Sequence, residues 1–318
     1  MRATGERAHW PCLVTREPAG QPASGGTSNG ADRSRSEREE AFGNAVITAE
    51  VCYFLVTEYY PPTRGSLFCE PPRPNGMADA AAEERPDEGS PTETAADLLV
   101  ATRVGEAPDP YRSRLAAYDH GDLAAIRNDR RRALAFWLNL YNAGTQLLLE
   151  RRPELYESPL RFLRFFRAET VTVAGTGLGL DEIEQGILRG GRSKYGLGYL
   201  PRIPRRFERR YAVDCDPRIH FACNCGAASC PAIRAYEPDG VDDQLDRATE
   251  VYLDETVAYD PEAGVARIPR VFLWYRGDFG GADGIRAFLR TYDAIPDGAD
   301  PTLRHRPWDW SKAKGKFA

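Results

Sequence analysis

The sequence predicts an α+β fold, in which several helices pack on a small mixed or antiparallel sheet within a single compact domain. Residues 129–150 carry a broad apolar face at helical spacing. Residues 170–174 and 265–268 have the length and apolar patterning of short strands. Helices and strands follow each other without the regular βαβ alternation of a parallel sheet, so a doubly wound α/β fold is not expected.

The region before this domain has the composition of a disordered chain. Residues 1–76 are rich in Gly, Pro, Ser, Arg and Glu and lack a sustained helical or strand period. Met77, the only methionine besides Met1, opens an alanine-rich acidic stretch. We therefore expect residues 1–76 to be either a disordered leader or a mis-assigned start of the chain. Residues 77–108 are predicted to form a flexible acidic lead-in.

The domain itself is predicted to span residues 109–311, with a tail at 312–318. Tyr111, Leu115 and Tyr118 recur at helical spacing, and the strongest helix extends from 129 to 150, where Pro153 follows it. The other expected elements, in chain order, are a short helix at 122–126, a strand at 170–174, a turn at 175–179, a helix at 181–189 with a capping box, a loop at 192–210, a strand at 218–223, a helix at 242–253, a strand at 265–268, an apolar segment at 271–275 and a helix at 284–292.

Composition and charge exclude several classes of function. The net charge of −5 gives no electrostatic reason to expect nucleic acid or an anionic membrane as partner. No apolar run is long enough to span a bilayer. The cysteines are odd in number, and four of them fall within residues 215–230, which favours reduced thiols in the cytoplasm over a disulfide framework. No glycine-rich phosphate loop occurs, so no nucleotide cofactor is predicted.

Several strings of the sequence resemble one known family. They are AFWLNLYNAGTQLLL at 135–149, LDEIEQGILRG at 180–190, DPRIHFACNCGAASCPAIRAY at 216–236, VFLWYRGDFGG at 271–281 and WDWS at 308–311. In this order they are similar to the motifs of the domain of unknown function 547 family, and the resemblance covers roughly residues 110–311.

The resemblance implies no particular reaction, because the family lacks an assigned one. Some members are the tail domain of larger plant and animal proteins, which suits an interaction module. Two residues depart from the family pattern. Gln185 stands where many members have histidine, which weakens any catalytic scheme that needs a histidine there. Cys223 stands where an aliphatic residue is usual, which suggests a role in core packing.

Cys225 is the first candidate for a catalytic residue. It lies in Asn224-Cys225-Gly226, where the expected strand breaks and a helical turn could begin. A thiol at a helix N-terminus has a lowered pKa, and the free N–H groups there can bind an oxyanion. His220 is the nearest candidate base. On a continuous strand His220 and Cys225 would face opposite sides, so they meet only if the chain turns at Asn224.

Other polar residues are candidates for supporting or binding roles. Asn139 and Asn142 share one face of the apolar helix, and buried amides need hydrogen-bond partners, so a polar network is expected there. Asn142 or Glu184 could orient the catalytic groups. Arg218 and Arg234 could receive a carboxylate or phosphate. The binding candidates are Asn224, Gly226, Arg218, Arg234 and Cys230.

The sequence leaves three classes of function open. The leading one is a cysteine-dependent hydrolase or acyltransferase with a thiol-centred pocket for a small molecule or peptide. The second is a non-catalytic interaction or scaffold domain. The third is a zinc module, because His220, Cys223, Cys225 and Cys230 supply four possible ligands without the usual CxxC spacing. A redox pair of Cys225 and Cys230 is weighed below these, and no metal or cofactor is assigned.

Overall fold

The computed structural model describes residues 89–318, apart from the side chains of Pro159 and Leu160. The leader at 1–76, the start at Met77 and the beginning of the lead-in lie outside the described residues. Helices dominate, and the strands form one sheet of two strands and one of three. The predicted α+β class is confirmed. None of the helices in residues 89–318 combines the length and hydropathy needed to cross a membrane.

The helices and strands alternate irregularly along the chain. The α-helices are α1 (Pro91–Val104), α2 (Asp109–Ala117), α3 (Ala124–Asn128), α4 (Arg130–Arg151), α5 (Pro159–Arg167), α6 (Arg206–Tyr211), α7 (Val241–Thr256), α8 (Val271–Trp274) and α9 (Gly281–Thr291). The strands are β1 (Val171–Val173), β2 (Thr176–Leu178), β3 (Ala258–Asp260), β4 (Val265–Ile268) and β5 (Thr302–His305). Short 3-10 segments lie at Pro153–Tyr156, Pro217–Phe221 and Pro238–Gly240, and a π-helix lies at Glu182–Leu188.

Helix α4 is the centre of the main hydrophobic core. Asp129 caps it by accepting hydrogen bonds from the backbone N–H groups of Arg131 and Arg132. Every residue from Ala133 to Leu149 is buried, including the polar ones. The helix therefore lies inside the protein as its length and apolar face predict, and its buried polar residues Asn139, Asn142 and Thr145 are hydrogen-bonded within the fold.

The folded region begins earlier than the sequence patterns indicate. Pro91–Val104, part of the predicted flexible lead-in, forms α1, with a capping box between Ser90 and Glu93 and a proline at its first turn. Leu98 and Leu99 of α1 are buried in the same core as α4. The apolar positions here are few and alanine-rich, so the sequence alone did not reveal the helix.

The two small sheets differ in topology. β1 and β2 form an antiparallel hairpin through Ala174 and Gly175, both of which have positive φ, as a tight two-residue turn requires. Part of the predicted turn at 175–179 is therefore strand. In the second sheet β4 pairs antiparallel with β3 and parallel with β5.

Two predicted elements have a different conformation. Of residues 218–223, predicted as a strand, 218–221 lie in a 3-10 turn because Pro217 fixes its start and the Asp216 carboxylate accepts from the Arg218 backbone N–H. The expected capping box at 181–184 is absent from the segment that follows Gly179. There the Glu182 carboxylate accepts from the Gly179 N–H, and the helix is wound as a π-helix, in which Arg189 N–H donates to the Glu184 carbonyl.

Residues 312–318, expected to be a tail, are part of the fold. Lys312 pairs with Ala227 in an antiparallel bridge, and Phe317 pairs with Ile233 in a parallel one. These pairings join the segment to the stretch that carries Cys225 and Cys230. The predicted domain boundary at 311 therefore separates residues that the structure brings together.

Candidate functional site

A cavity of about 380 Å³ lies beside the cysteine-rich segment. This volume falls in the range of small-molecule sites. Most of its wall is aromatic or aliphatic, contributed by Tyr141, Phe162, Phe166, Tyr195, Leu197, Leu200, Pro231, Val271, Trp274, Tyr275, Trp308 and Trp310. The polar or ionisable side chains in the wall are those of Asp181, Glu184, Gln185, Lys194, His220, Cys223, Cys225 and Cys230. Apolar walls with a few convergent polar groups are typical of ligand-binding sites.

The 3-10 turn at 217–221 places His220 and Cys225 on the same cavity. After this turn the chain becomes irregular, so the face alternation of a strand does not apply, and both side chains line the cavity. The His220 side chain is only 1% exposed, whereas Cys225 is half-buried. The strand alternation that would have placed His220 and Cys225 on opposite faces is therefore absent, and the hydrogen-bond partner of the Cys225 thiol is Cys230.

No helix begins at Cys225, contrary to the expectation from the sequence. The Asn224 side chain instead braces an irregular loop, accepting from Gly226 N–H at 2.8 Å and donating to the Pro231 carbonyl at 2.6 Å. Gly226 has a φ of +88°, and a Cβ there would lie 2.9 Å from Leu149 Cδ1. Asn224 and Gly226, predicted as binding residues, shape the loop.

Cys225 and Cys230 form a hydrogen-bonded thiol pair. The Cys225 backbone N–H donates to Cys230 Sγ at 3.2 Å. The hydrogen bond from its own thiol to Cys230, together with burial, raises the pKa of Cys225. Burial opposes ionisation of Cys230 as well, but the Cys225 thiol and backbone N–H groups, helped by the charge of Lys316, hold its pKa below the ordinary value. Negative charge in the pair is therefore stabilised at the buried sulfur, and Cys225 carries the proton.

The other described cysteines are less suited to ionise. Burial raises the pKa of Cys215 to about 12, and Cys215 does not line the cavity. Cys223 lies in the wall, but burial raises its pKa well above the ordinary value. Cys223 packs against the main core, which supports the expected role in core packing.

His220 is bonded to an acidic residue that the sequence analysis did not select. Its Nε2 lies 2.9 Å from Asp278 Oδ2, and its ring stacks on Tyr275 with centroids 3.9 Å apart. Hydrogen bonds from His220 and Arg189 outweigh burial and hold the pKa of Asp278 far below its usual range. Burial lowers the pKa of His220, although Asp278 opposes this. The imidazole is thus neutral at neutral pH, with Nε2 as donor to the carboxylate.

Arg189 anchors the other side of Asp278. Its Nε and Nη2 donate to the two carboxylate oxygens at 2.6 and 2.9 Å, and both side chains are fully buried. Arg192 adds a contact to Oδ1 at 3.1 Å. The Arg189 guanidinium also donates to the side-chain oxygen of Gln185. Gln185 therefore holds a structural arginine and supplies no base.

Glu184 is a buried carboxylate in the cavity wall. It accepts from the Tyr141 hydroxyl at 2.9 Å and from the Tyr275 hydroxyl at 2.6 Å. Tyr275 in turn stacks on His220, so Glu184 acts on the histidine through an intervening ring. Its place inside the π-helix, rather than a capping role, explains why the residue points into the fold.

The two asparagines of α4 brace the backbone on either side of the cysteine loop. Asn142 donates to the Ala222 carbonyl at 3.0 Å and accepts from the Asn224 N–H at 2.9 Å. Asn139 bonds in the same two-sided manner to the N–H and carbonyl of Tyr236. The predicted polar network is confirmed. Because both polar groups of the Asn142 amide are engaged, its role is to position the chain that leads to Cys225.

The remaining predicted residues lie away from the cavity. Arg218 is engaged by Asp216, Asp242 and Asp246 at 2.7 to 2.9 Å, and neither Arg218 nor Arg234 lines the cavity. Among residues 89–318, no three His, Cys, Asp or Glu side chains converge in a way that could hold a metal ion. The possible zinc set of His220, Cys223, Cys225 and Cys230 is therefore not assembled as a metal site.

The segment that follows β5 completes the cysteine loop. Asp309 exchanges hydrogen bonds with Ser229, and the backbone N–H groups of Ala228 and Ala313 donate to Ser311 and Gly226. Lys316 Nζ donates to the carbonyls of Ala228 and Cys230 at 3.0 and 2.5 Å. We call residues 309–318 the closing segment. It fixes the loop and brings a positive charge close to the thiol pair.

Residues 127–253 match the family model described as "Protein of unknown function, DUF547". The resemblance that the motifs indicate is confirmed over these residues. No curated protein and no solved structure matches the chain. The matched range contains the cysteine loop, His220 and Glu184, whereas Asp278 and the closing segment lie beyond it.

Proposed function

We propose that this DUF547 region, together with the residues that follow it, is a cysteine-dependent hydrolase or acyltransferase. The observation that carries the proposal is that the thiol-bearing residue Cys225 and the Asp278-bound imidazole of His220 line one cavity. A nucleophile and a base oriented by a third group make up the usual apparatus of covalent acyl transfer.

Cys225 is the nucleophile in this proposal because it lines the cavity and is more exposed than Cys230. Cys230 is 1% exposed and Cys215 lies outside the cavity wall, so neither offers its sulfur to a substrate as Cys225 does. The resting Cys225 thiol carries its proton, since its pKa is raised, and it therefore needs a base at the moment of attack. The backbone N–H of Ala227 opposes the rise in the pKa of Cys225 and helps to stabilise the thiolate that forms.

His220 is suited to be that base. With Nε2 donating to Asp278, the neutral ring keeps a lone pair on Nδ1 and can accept a proton there. Asp278 fixes the tautomer and stabilises the imidazolium that results, while Arg189 keeps the carboxylate ionised. Asn142 and Glu184 position the thiol loop and the ring respectively, without contacting the reacting atoms.

The proposed reaction has two steps. The Cys225 sulfur attacks the acyl carbonyl carbon and His220 takes the thiol proton. A C–S bond forms, and the bond to the leaving alcohol, amine or thiol breaks as that group receives the proton from the imidazolium. Water, or a second acceptor, then attacks the thioester and gives its proton to His220. The C–S bond breaks, the acid or transfer product departs, and the proton returns to sulfur.

An acyl-enzyme assay tests the proposal. The full chain is incubated with p-nitrophenyl butyrate, quenched in acid and analysed by mass spectrometry of the intact protein and its peptides. A butyryl group on Cys225 is expected, with release of p-nitrophenol. Cys225→Ser should remove the thioester, whereas Cys215→Ser, at a cysteine that does not line the cavity, should preserve it. Acylation elsewhere, or none with the folded protein, contradicts the proposal.

The competing function is a binding module without chemistry. It is favoured by exposed apolar side chains, since Tyr199 is 58% and Ile203 93% exposed. In that case the wild-type protein would form no acyl-enzyme, and Cys225→Ser would retain every binding property of the wild-type protein. The acyl-enzyme assay on the wild-type protein therefore separates the two functions.

We further propose that the protein works in the cytoplasm on a small-molecule or peptide ligand, with neither nucleic acid nor a membrane as partner. The described cysteines Cys215, Cys223, Cys225 and Cys230 are all free thiols, which suits a reducing compartment. The net charge of −5 supports the absence of a polyanionic partner.

A further inference from the structure

We propose that the cavity binds the uncharged apolar acyl chain of the substrate, so that the preferred substrates are medium-chain esters, thioesters or amides. This inference rests on the proposed function, since it identifies the acyl group that Cys225 would receive. Three features of the cavity support it: the chemistry of its wall, the continuation of that wall to the surface, and an unsatisfied hydrogen-bond donor.

Most of the cavity wall is apolar. Trp274, Trp308 and Trp310 pack against one another with ring centroids 5.0 to 6.0 Å apart, and the side chains of Phe162 and Phe166 complete an aromatic end. Aromatic rings provide large areas for burying hydrocarbon.

The charges in the wall also disfavour an anionic ligand. Among the described residues the basic side chains of the lining are Lys194 and His220. Lys194 is paired with Asp181 at 2.8 Å, and His220 is held neutral against Asp278. Glu184 is also in the wall, where its hydroxyl donors are the two tyrosines. A carboxylate or phosphate inside the cavity would lose its hydration and meet no unpaired cation.

The apolar surface continues from the cavity to the outside of the protein. Leu197 and Leu200 line the cavity and are nevertheless 41% and 43% exposed. A flexible chain can follow a continuous strip of this kind, whereas a compact ring would use only the enclosed end. At ~30 Å³ for each atom of water size, the cavity has room for roughly a dozen non-hydrogen atoms. That is the size of a medium-length acyl chain with its carbonyl group.

Trp308 supplies a donor for a ligand oxygen. Its Nε1–H is buried and has no acceptor within the described part of the chain. A buried donor without a partner costs free energy, and a ligand carbonyl would satisfy it. Trp308 lines the same cavity as Cys225 and Cys230. Trp308 is therefore a specificity residue for an uncharged ligand with a carbonyl group.

A binding titration with the full-length Cys225→Ala protein tests the inference without turnover. The probes are acetamide, butanamide, hexanamide and octanamide, followed by tryptophan fluorescence, which reports on the cavity wall. Affinity should rise about threefold to fourfold for each added methylene group. Octanoate should bind at least tenfold more weakly than octanamide. Chain-length-independent affinity, or octanoate binding as tightly as octanamide, would overturn the inference.

Variants locate the binding site and separate the two proposals. Trp308→Phe keeps the ring and loses the donor, and should weaken octanamide binding about fivefold to tenfold. Leu200→Ser should weaken octanamide binding more than Ile203→Ser, which alters a more exposed residue outside the wall. Circular dichroism verifies folding of each variant. Octanamide binding by a wild-type protein that forms no acyl-enzyme would refute the catalytic proposal alone, while acylation with no chain-length preference would refute this inference alone.

Discussion

His220 Nε2 lies 2.9 Å from Asp278 Oδ2 in a region where both side chains are almost completely buried. The same carboxylate receives Arg189, so a neutral ring and a buried cation share one anion. The arrangement fixes the histidine tautomer and ties α9's preceding loop to the π-helix. Loss of the Asp278 carboxylate should therefore affect both His220 and Arg189.

Asp278→Asn is expected to destabilise the protein by about 3–5 kcal/mol, because it leaves the buried Arg189 guanidinium without its counter-charge. It should also abolish acylation of Cys225, since the tautomer of His220 is no longer fixed. Urea unfolding measures the first effect and the p-nitrophenyl butyrate assay the second. The control is Asp283→Asn, which makes the same change at a fully exposed carboxylate bound to Arg286 and should cost less than about 1 kcal/mol. Equal stability of the two variants would contradict the assigned ion pair.

Stability should fall as the pH drops below about 6.5. Burial lowers the pKa of His220, so the unfolded chain takes up a proton near pH 6.5 while the native protein does not. The contribution of His220 is thus present above this pH and lost progressively below it. The low pKa of Asp278 acts in the same direction at more acidic pH.

The measurement is the free energy of unfolding in urea at several pH values between about 7 and 5. His220→Gln should flatten the pH dependence whatever its effect on stability at neutral pH. Some dependence of stability on pH will remain, because partial desolvation also lowers the pKa of His305. His305 is more exposed than His220, so its contribution to this dependence is smaller. An unchanged slope in His220→Gln would show that the imidazole is not held neutral.

Tyr275→Phe should reduce acylation at Cys225 while leaving the protein folded. The change removes the 2.6 Å hydrogen bond to Glu184 but keeps the ring that stacks on His220. Removing a hydrogen-bond donor from a buried carboxylate lowers the free energy of unfolding by about 1–3 kcal/mol. Urea unfolding and the acylation rate are measured together. Tyr259→Phe, in β3, is the matched control and should alter neither.

Gly226→Ala should destabilise the protein more than Gly264→Ala. Both glycines have positive φ, which costs an alanine about 1–2 kcal/mol. A Cβ at Gly264 meets nothing within 4 Å, whereas at Gly226 it lies 2.9 Å from Leu149. Overpacking adds about 1–3 kcal/mol at Gly226 alone. The difference in urea midpoint between the variants measures this contact. If Leu149→Ala restores part of the stability of Gly226→Ala, the contact is verified.

Lys316→Met should raise the pH at which the thiol pair ionises. Lys316 donates to the Cys230 carbonyl, and its charge helps to lower the pKa of Cys230. Ultraviolet absorbance of the thiolate, recorded against pH, follows the ionisation. Lys312→Met removes an exposed lysine from the same segment and should leave the titration unchanged. Identical curves for both variants would exclude a role of Lys316 at the thiols.

The fold class and the location of the site could be predicted because strong local signals carry them. The long apolar run of α4 and the four cysteines near 215–230 are such signals. The conformation around His220 could not be predicted in this way. A five-residue apolar stretch fits a strand as well as a turn, and Pro217 with the Asp216 cap decided for the turn.

The partners of the site residues were harder to foresee. Asp278 is separated from His220 by 58 residues along the chain. It lies between Gly277 and Phe279, and this local sequence does not identify its partner. The closing segment has no sustained apolar period, and its contacts run mostly through backbone groups, which leave no trace in side-chain pattern. Nothing in the sequence distinguishes Cys230 from the other cysteines, because its hydrogen bond to Cys225 is made through the folded loop.

The closing segment also sets the order in which the site can assemble. During synthesis the cysteine loop leaves the ribosome long before residues 309–318. These residues supply the backbone hydrogen-bond partners of the loop and the charge of Lys316. Until that segment is released, the loop of Cys225 and Cys230 lacks these backbone partners and the Lys316 charge. A nascent chain that pauses before residue 309 therefore lacks the environment that sets the ionisation of the thiols, although all its sulfur atoms are already present.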